Sequence, residues 1–334
     1  MLTTLAGCQH TPAPEEEIPI LFGVYSGVEV KSFEAPHGSD YLIKAGNKAQ
    51  VFGTWTSATE ASSEHVFEGV TLTCGSGLTW TYPEEDTRFW KRNGSYHFKA
   101  VFPIPEEVGY STNGIHLTVP YSMHTGNTDL MVASVARDMA TGNLNSVNLD
   151  FHHTTAAVRF LFRKGDAVED TYFLDLFEIQ NVYTVGELIL ETDTIEEDTW
   201  TDSWYLATNY RPDSVFLWEA DGDSEKEEDH PIPIPATYGA YTGYTWYYCL
   251  PQALAVESSE AHPAIHFRVS MSNGVSIENT LEIPETDASN DPITWEAGKA
   301  YTYKVSVTPQ TTTVTVQVNP WDASYVSVDE LIFD

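Results

Sequence analysis

Basic residues are scarce in this chain: 16 Lys and Arg stand against 49 Asp and Glu, a formal net charge of −33 over 334 residues. That balance argues against a nucleic-acid partner, because phosphate contacts need clustered cations. Long apolar runs are also missing, and no stretch approaches the roughly 20 apolar residues of a membrane-spanning helix. Helical periodicity is almost absent, which leaves strands to build the fold. Catalytic signatures are lacking too: there is no G-x-S-x-G, no H-E-x-x-H, no phosphate loop and no dinucleotide fingerprint. With so many carboxylates some pair will fall at glycosidase spacing by chance, so that feature carries no information. No enzyme is expected, and no catalytic residue, cofactor or metal is assigned.

Cysteine is sparse, with Cys8, Cys74 and Cys249 only. An oxidising compartment permits a bridge between Cys74 and Cys249. The two fall in different expected domains, and two buried thiols are the plainer expectation.

What the chain does contain is β-rich. Aromatics make up 13% and charged residues only 19%, a composition of exported β proteins rather than of disorder. Apolar and polar residues alternate through Val66–Leu72, Ser95–Val101, Val158–Phe162, Ile265–Val269 and Tyr301–Val307. Period 2 in Val, Ile, Thr, Tyr and Phe predicts strands buried on one face. Turn clusters separate them at Arg92-Asn-Gly94, Thr112-Asn-Gly114, Thr141-Gly-Asn143, Ser272-Asn-Gly274 and Ala297-Gly-Lys299. Asn-Gly supplies the positive φ of tight hairpins. Many short strands with such turns predict a sandwich or barrel. A break is expected near Gly142–Ser146, with Val147–Phe151 opening a second domain. Pro231-Ile-Pro-Ile-Pro235 reads as an extended, rigid segment.

Three features could carry binding chemistry. His152-His153 lacks a spaced partner and is expected to be structural at a strand end. The acidic run Asp221–Asp229 lacks EF-hand spacing and reads as a solvated loop. Aromatics cluster at Trp80, Tyr82, Phe89, Trp90, Tyr96 and Phe98 and again over Tyr241–Tyr248. They could stack on a glycan, but core packing is the commoner use of such rings.

The N-terminus carries the sharpest signal. Leu5-Ala6-Gly7-Cys8 has the form of a lipobox, with lipidation at Cys8. The Pro-rich acidic stretch Thr11–Glu17 has the character of a lipoprotein stalk. A secretory signal needs a charged region and roughly 7–15 apolar residues before cleavage. Here seven residues without Lys or Arg precede Cys8. Either translation starts upstream of Met1, or the motif is accidental.

Several landmarks then appear in order: Leu78-Thr-Trp-Thr-Tyr82, Arg88-Phe-Trp90, Tyr96–Pro103, Asp129-Leu-Met-Val-Ala133, Val147–His153 running into Ala156–Phe160, Leu250-Pro-Gln252, Trp295–Tyr303 and Trp321. This order resembles the fimbrillin family of the Bacteroidetes, the lipoprotein-derived subunits of type V pili. The resemblance implies an all-β fold of two antiparallel β-sandwich domains in tandem, transthyretin-like or Greek-key in kind. On it, residues 1–17 are signal remnant and tether, 18–145 the first domain and 146–334 the second. It also implies a mechanism. A protease cuts after a basic residue near the first strand, that strand leaves, and a strand from the next subunit fills the groove.

Ile18–Tyr25 is the expected removable strand. Lys31, Lys44 and Lys48 are the candidate cleavage sites, a departure from the Arg that the family usually presents. In the tail 322–334, Val326, Val328, Leu331 and Phe333 are the candidate donor-strand residues. The expected partners are other pilin subunits and the outer membrane through the lipid. The expected location is the cell surface, as an outer-membrane lipoprotein or within a fimbrium. Shaft, anchor and tip roles stay open. The alternative is a surface lipoprotein of the same fold that never polymerises and binds a glycan or host protein.

Overall fold

The computed structural model describes residues 17–24, 45–75, 79–111, 116–125, 127–139, 144–164, 170–190, 203–206, 213–219, 231–234, 246–255, 261–286, 292–308 and 312–320. Among them every regular element is a strand, apart from a single 3-10 turn at Glu84–Asp86. The all-β expectation is met. Each of the five quoted alternating segments lies within a strand.

The first ten strands are β1 (Phe22–Val24), β2 (Lys48–Ser57), β3 (Ser63–Cys74), β4 (Thr79–Thr81), β5 (Gly94–Phe102), β6 (Gly109–Tyr110), β7 (Leu117–Ser122), β8 (Met131–Asp138), β9 (Val147–Leu149) and β10 (His152–His153). Eight of them form one sheet in the order β10-β8-β5-β2-β3-β4-β1-β9. One core draws Phe22, Val51, Phe67, Trp80, Phe98, Ala133 and Leu149 from these strands, joined by Ile20, Met139 and Phe151 from the segments beside them. A sheet can enclose its own core only by curving. Register shifts in β2 at Val51/Phe52 and Gly53/Thr54 supply bends of that kind. Gly53 has a packing reason: a Cβ there would lie 2.9 Å from the Phe98 ring and 3.1 Å from that of Phe67.

The later strands are β11 (Ala156–Lys164), β12 (Tyr172–Val182), β13 (Val185–Leu190), β14 (Trp204–Leu206), β15 (Asp213–Glu219), β16 (Ile232–Ile234), β17 (Tyr247–Cys249), β18 (Gln252–Ala253), β19 (Ala264–Met271), β20 (Ser276–Glu282), β21 (Thr294–Trp295), β22 (Lys299–Val307) and β23 (Thr312–Pro320). Two sheets, β17-β11-β22-β23 and β15-β12-β19-β20, face each other. Between them Phe160 meets Phe177 at 4.9 Å, and Phe162 meets Phe267 at 5.6 Å. Trp295 Nε1 donates to the Tyr303 hydroxyl at 2.8 Å, so the largest buried side chain is satisfied. β16 joins the edge of β12, and the small β18-β21 pair stands apart.

β13 and β14 do not stay with their sequence neighbours. They pair with β7 and β6 in the order β14-β13-β7-β6. Leu188, Leu190 and Trp204 then cover Phe52, Val101 and Val132 on the outer side of the curved sheet. The buried Lys99 on β5 donates from Nζ to the Leu190 carbonyl at 3.0 Å across this layer. Strands from both sides of residue 145 therefore share sheets.

The chain crosses from the first core to the next through His153–Ala156. His153 Nδ1 lies 2.9 Å from Asp129 Oδ1, both side chains buried. The Thr154 amide and hydroxyl donate to the Leu130 carbonyl at 2.9 and 2.7 Å. Trp204 Nε1 donates to the Thr154 carbonyl at 2.6 Å, and the Gly298 amide donates to that of Thr155 at 3.0 Å. Nearby, the Tyr248 amide donates to Asn127 Oδ1 at 2.9 Å. Main-chain or side-chain groups of His153, Thr154 and Thr155 are thus tied to three separate stretches of chain, at 129–130, 204 and 298.

Candidate functional site at the seat of the first strand

Ile18 to Val24 enter the fold as one extended stretch. Alternation sorts its side chains: Ile20 is 0% and Phe22 2% exposed, while Leu21 between them is 54% exposed. Although β1 comes first in the chain, it is not at a sheet edge. It lies between β4 and β9. Phe22 and Gly23 pair antiparallel with Trp80 and Thr79. Phe22, Gly23 and Val24 pair parallel with Val147, Asn148 and Leu149.

The approach to β1 is also bonded. Ile20 N donates to the Arg88 carbonyl at 2.8 Å, Trp90 N donates to that of Ile18 at 3.0 Å, and Val147 N donates to that of Leu21 at 2.7 Å. The Tyr82 hydroxyl donates to the Ile20 carbonyl. Burial pushes that phenol above its ordinary range, which keeps it in the donor form. Arg88 is braced in turn, its Nε donating to the Val66 carbonyl at 3.1 Å.

Three rings meet the Phe22 ring edge-on: Phe67 at 5.4 Å, Phe98 at 5.5 Å and Tyr82 at 6.2 Å. Behind them Trp90 stands edge-on to Tyr96 at 4.9 Å. Burying Ile20 and Phe22 stabilises the seat by about 2 kcal/mol each. If β1 were drawn out, β4 and β9 would each lose a paired neighbour, and two apolar sockets would open between them.

The aromatic block read from the sequence is this seat. Trp80, Tyr96 and Phe98 are buried, as are Trp246 and Tyr248 of the second cluster. Those rings therefore offer no glycan platform; of the quoted aromatics, Phe89 is the one exposed large side chain within the described residues. The sequence did not reveal that Tyr82, Arg88 and Trp90 hold the first strand through a hydroxyl and two main-chain groups. The tight spacing of W-x-Y and R-x-W ahead of a strand was the available signal.

The other candidate residues are scattered. Cys8, Lys31, Lys44, Val326, Val328, Leu331 and Phe333 lie outside the described residues, as does Asp221–Asp229. Lys48 is exposed at the head of β2, opposite Thr73. Main-chain pairing already begins before it, with Gly46 N on the Cys74 carbonyl at 3.0 Å and Cys74 N on that of Asn47 at 2.8 Å. His152 and His153 diverge: His152 is 4.0 Å from Asp150, and His153 is buried on Asp129. Among the described residues no group of three or more His, Cys, Asp or Glu is placed to hold a metal. Cys74 and Cys249 are buried thiols in different cores, not bridged to each other, and burial pushes both up in pKa. None of the described helices is long and apolar enough to cross a membrane.

Comparison with solved structures places the fold. A protein assigned to cell adhesion from Bacteroides uniformis superposes with a TM-score of 0.55 at 15% identity, over 91% of this chain and 99% of that one. A fimbrial protein from Bacteroides vulgatus gives 0.53 at 12% identity, over 91% and 99%. A second protein assigned to cell adhesion, from Bacteroides ovatus, gives 0.52 at 14% identity, over 93% and 99%. No curated protein matches the chain. The fimbrillin-like family matches residues 35–321. That span takes in the aromatic seat, the Asp129–His153 crossing and the facing sheets beyond it, and on it the chain belongs to the fimbrillin-like family.

Proposed function

We propose that this chain is a structural and adhesive subunit of a cell-surface pilus. On this reading it is exported as a lipoprotein on Cys8 and assembled by protease-triggered strand exchange. Its architecture is two β-sandwich domains in tandem, 18–145 and 146–334, behind a tether of 1–17. The second lends β9, β10, β13 and β14 to sheets of the first.

The observation that carries the proposal is the position of β1. A three-residue strand sits between two partners inside a sheet, buries Phe22 two residues after the buried Ile20, and is followed in the chain by β2, three places away in the same sheet. Cutting the chain between β1 and β2 frees the strand, leaving β10-β8-β5-β2-β3-β4 paired and β9 without its one partner strand among the described residues. Open donors and acceptors flanking two apolar sockets then accept an extended segment by strand addition. Of the candidate sites, Lys31 and Lys44 suit a protease better than Lys48, because β2 would have to unzip from Thr73 to present Lys48.

The donor is the C-terminal tail of another subunit, and the partners are further subunits and the outer membrane. Peptide mass spectrometry of the N-terminus, on protein taken from the outer surface of its own cells, tests this. A start just after Lys31 or Lys44 is the expected result for assembled subunits, and an acylated Cys8 for the tethered form. An unmodified Met1 on surface protein overturns the lipoprotein route.

A further inference from the structure

Among the described residues every sheet edge but one is blunted. We infer that the exception, β23, is a contact edge whose partner is β23 of a second copy, paired antiparallel across a two-fold axis. The inference does not rest on exchange at β1. It concerns whole subunits meeting side by side with the first strand in place.

An edge strand offers a row of main-chain donors and acceptors to any other chain, and folded proteins guard such rows with brevity or charge. Here β6, β9, β10, β14, β16, β17, β18 and β21 reach only two or three residues each. The part of β11 that β17 leaves uncovered carries Arg159, Arg163 and Lys164. β15 has Asp213 and Glu219 at its two ends, and β20 has the exposed Glu278 and Glu282. β23 closes its sheet with nine residues, Thr-Thr-Val-Thr-Val-Gln-Val-Asn-Pro, none of them charged. Pro320 guards only its last position. Such a run of Thr and Val has high strand propensity and no built-in repulsion.

Charge also selects the partner. Two antiparallel copies of one strand set opposite each other residues whose numbers add to a constant. On β20, the register centred on Thr280 places Glu278 opposite Glu282 of the copy. On β15, the register centred on Phe216 places Asp213 opposite Glu219. Like charges so placed repel, and no register of β23 has any. With a net charge of −33 each, two copies approach closely only where the surface is locally uncharged. A basic partner would be drawn to the Glu-bearing edge of β20 instead. The apolar end of β23 agrees: Val318 lies opposite the buried Tyr301 yet is 42% exposed, and a neighbouring edge would cover it. Joined in this way, β17-β11-β22-β23 runs on into the same four strands of the copy.

Sedimentation of the full, uncleaved chain in a Cys8→Ser background reads the contact, because an intact first strand keeps exchange at β1 out of the measurement. A monomer–dimer equilibrium with Kd on the order of 10 μM is expected, as suits a small interface. Raising salt should tighten it, since screening weakens the repulsion between copies. Thr315→Glu should weaken it about tenfold, while its own sheet holds because Lys304 lies opposite. Glu278→Thr should leave it unchanged. Thr313→Cys, Thr315→Cys and Gln317→Cys, oxidised singly and in mixtures, should give linked dimers whose two residue numbers share one sum. A chain that stays monomeric up to about 1 mM overturns the second-copy partner. A dimer that ignores Thr315→Glu and forms none of these links overturns the β23 edge. Links sharing one difference instead of one sum mean parallel strands and overturn the two-fold arrangement. Each of these outcomes leaves strand exchange at β1 untouched.

Discussion

β1 and β11 each sit inside a sheet beside a parallel neighbour, and they are held very differently. β11 runs in register with β22 for eight residues, Ala157 to Lys164 against Ala300 to Val307. β1 meets β9 over three residues and β4 over two. β11 sends Val158, Phe160 and Phe162 into a core closed by a second sheet. β1 sends Phe22 into a core made by its own curved sheet. An interior position alone does not make a strand permanent; the length of its ladder and the closure of the core behind it do. Each net hydrogen bond adds about 1 kcal/mol, so the difference in register is worth several kcal/mol before packing is counted.

The sharpest attempt to break this contrast is a pair of truncations. Phe162→Ala should cost about 4 kcal/mol of global stability, read by denaturant unfolding, because Phe162 is wholly buried between Phe177 and Phe267. Phe22→Ala should cost about 3 kcal/mol, but locally. Hydrogen exchange should quicken in 79–81 and 147–149 and stay unchanged in 157–164. Equal loss of protection in both regions would dissolve the contrast.

A finer change sharpens it. Tyr82→Phe removes one donor to the Ile20 carbonyl and should loosen β1 by about 1 kcal/mol, visible as faster cleavage of the N-terminal segment. The smallest effect belongs to the second region. Glu285 accepts a hydrogen bond from His262 and holds that imidazole above its ordinary range. The folded chain favours the protonated form, so the stabilisation is complete below the ordinary histidine pKa and fades as pH rises through the raised one. Glu285→Gln should return the His262 titration, followed by NMR, to its ordinary range. Stability should hardly move, since the pair is at the surface.

Local features were legible and long-range partners were not. The alternation at Val158–Phe162 and Tyr301–Val307 reports strands with one core face, and both are strands. The turns at Asn93 and Gly274 carry the positive φ that their residues suggested. Pro231–Pro235 read as an extended segment and proved to contain β16, an edge strand with Pro233 exposed, where a missing N–H costs nothing. The parallel pairing of β1 with β9, and the antiparallel pairing of β13 with β7 across residue 145, leave no local trace, because periodicity records which face is buried and not which strand lies alongside. Asp129 and His153 were noted in separate motifs; their contact depends on β8 and β10 being neighbours. The aromatic block was visible as a cluster, but its role as the seat of the first strand appears only once the register is known.

The crossing at His153–Ala156 has a mechanical consequence. Load between the two cores passes along the backbone of these four residues, beside the β7–β13 ladder. Their bonds to Asp129, Leu130, Trp204 and Gly298 hang on one short length of backbone. Shifting that backbone strains all of them together, so they resist as a bundle of fibres rather than a row of buttons. Under tension the joint should be stiff up to a single high yield point, with little give before it.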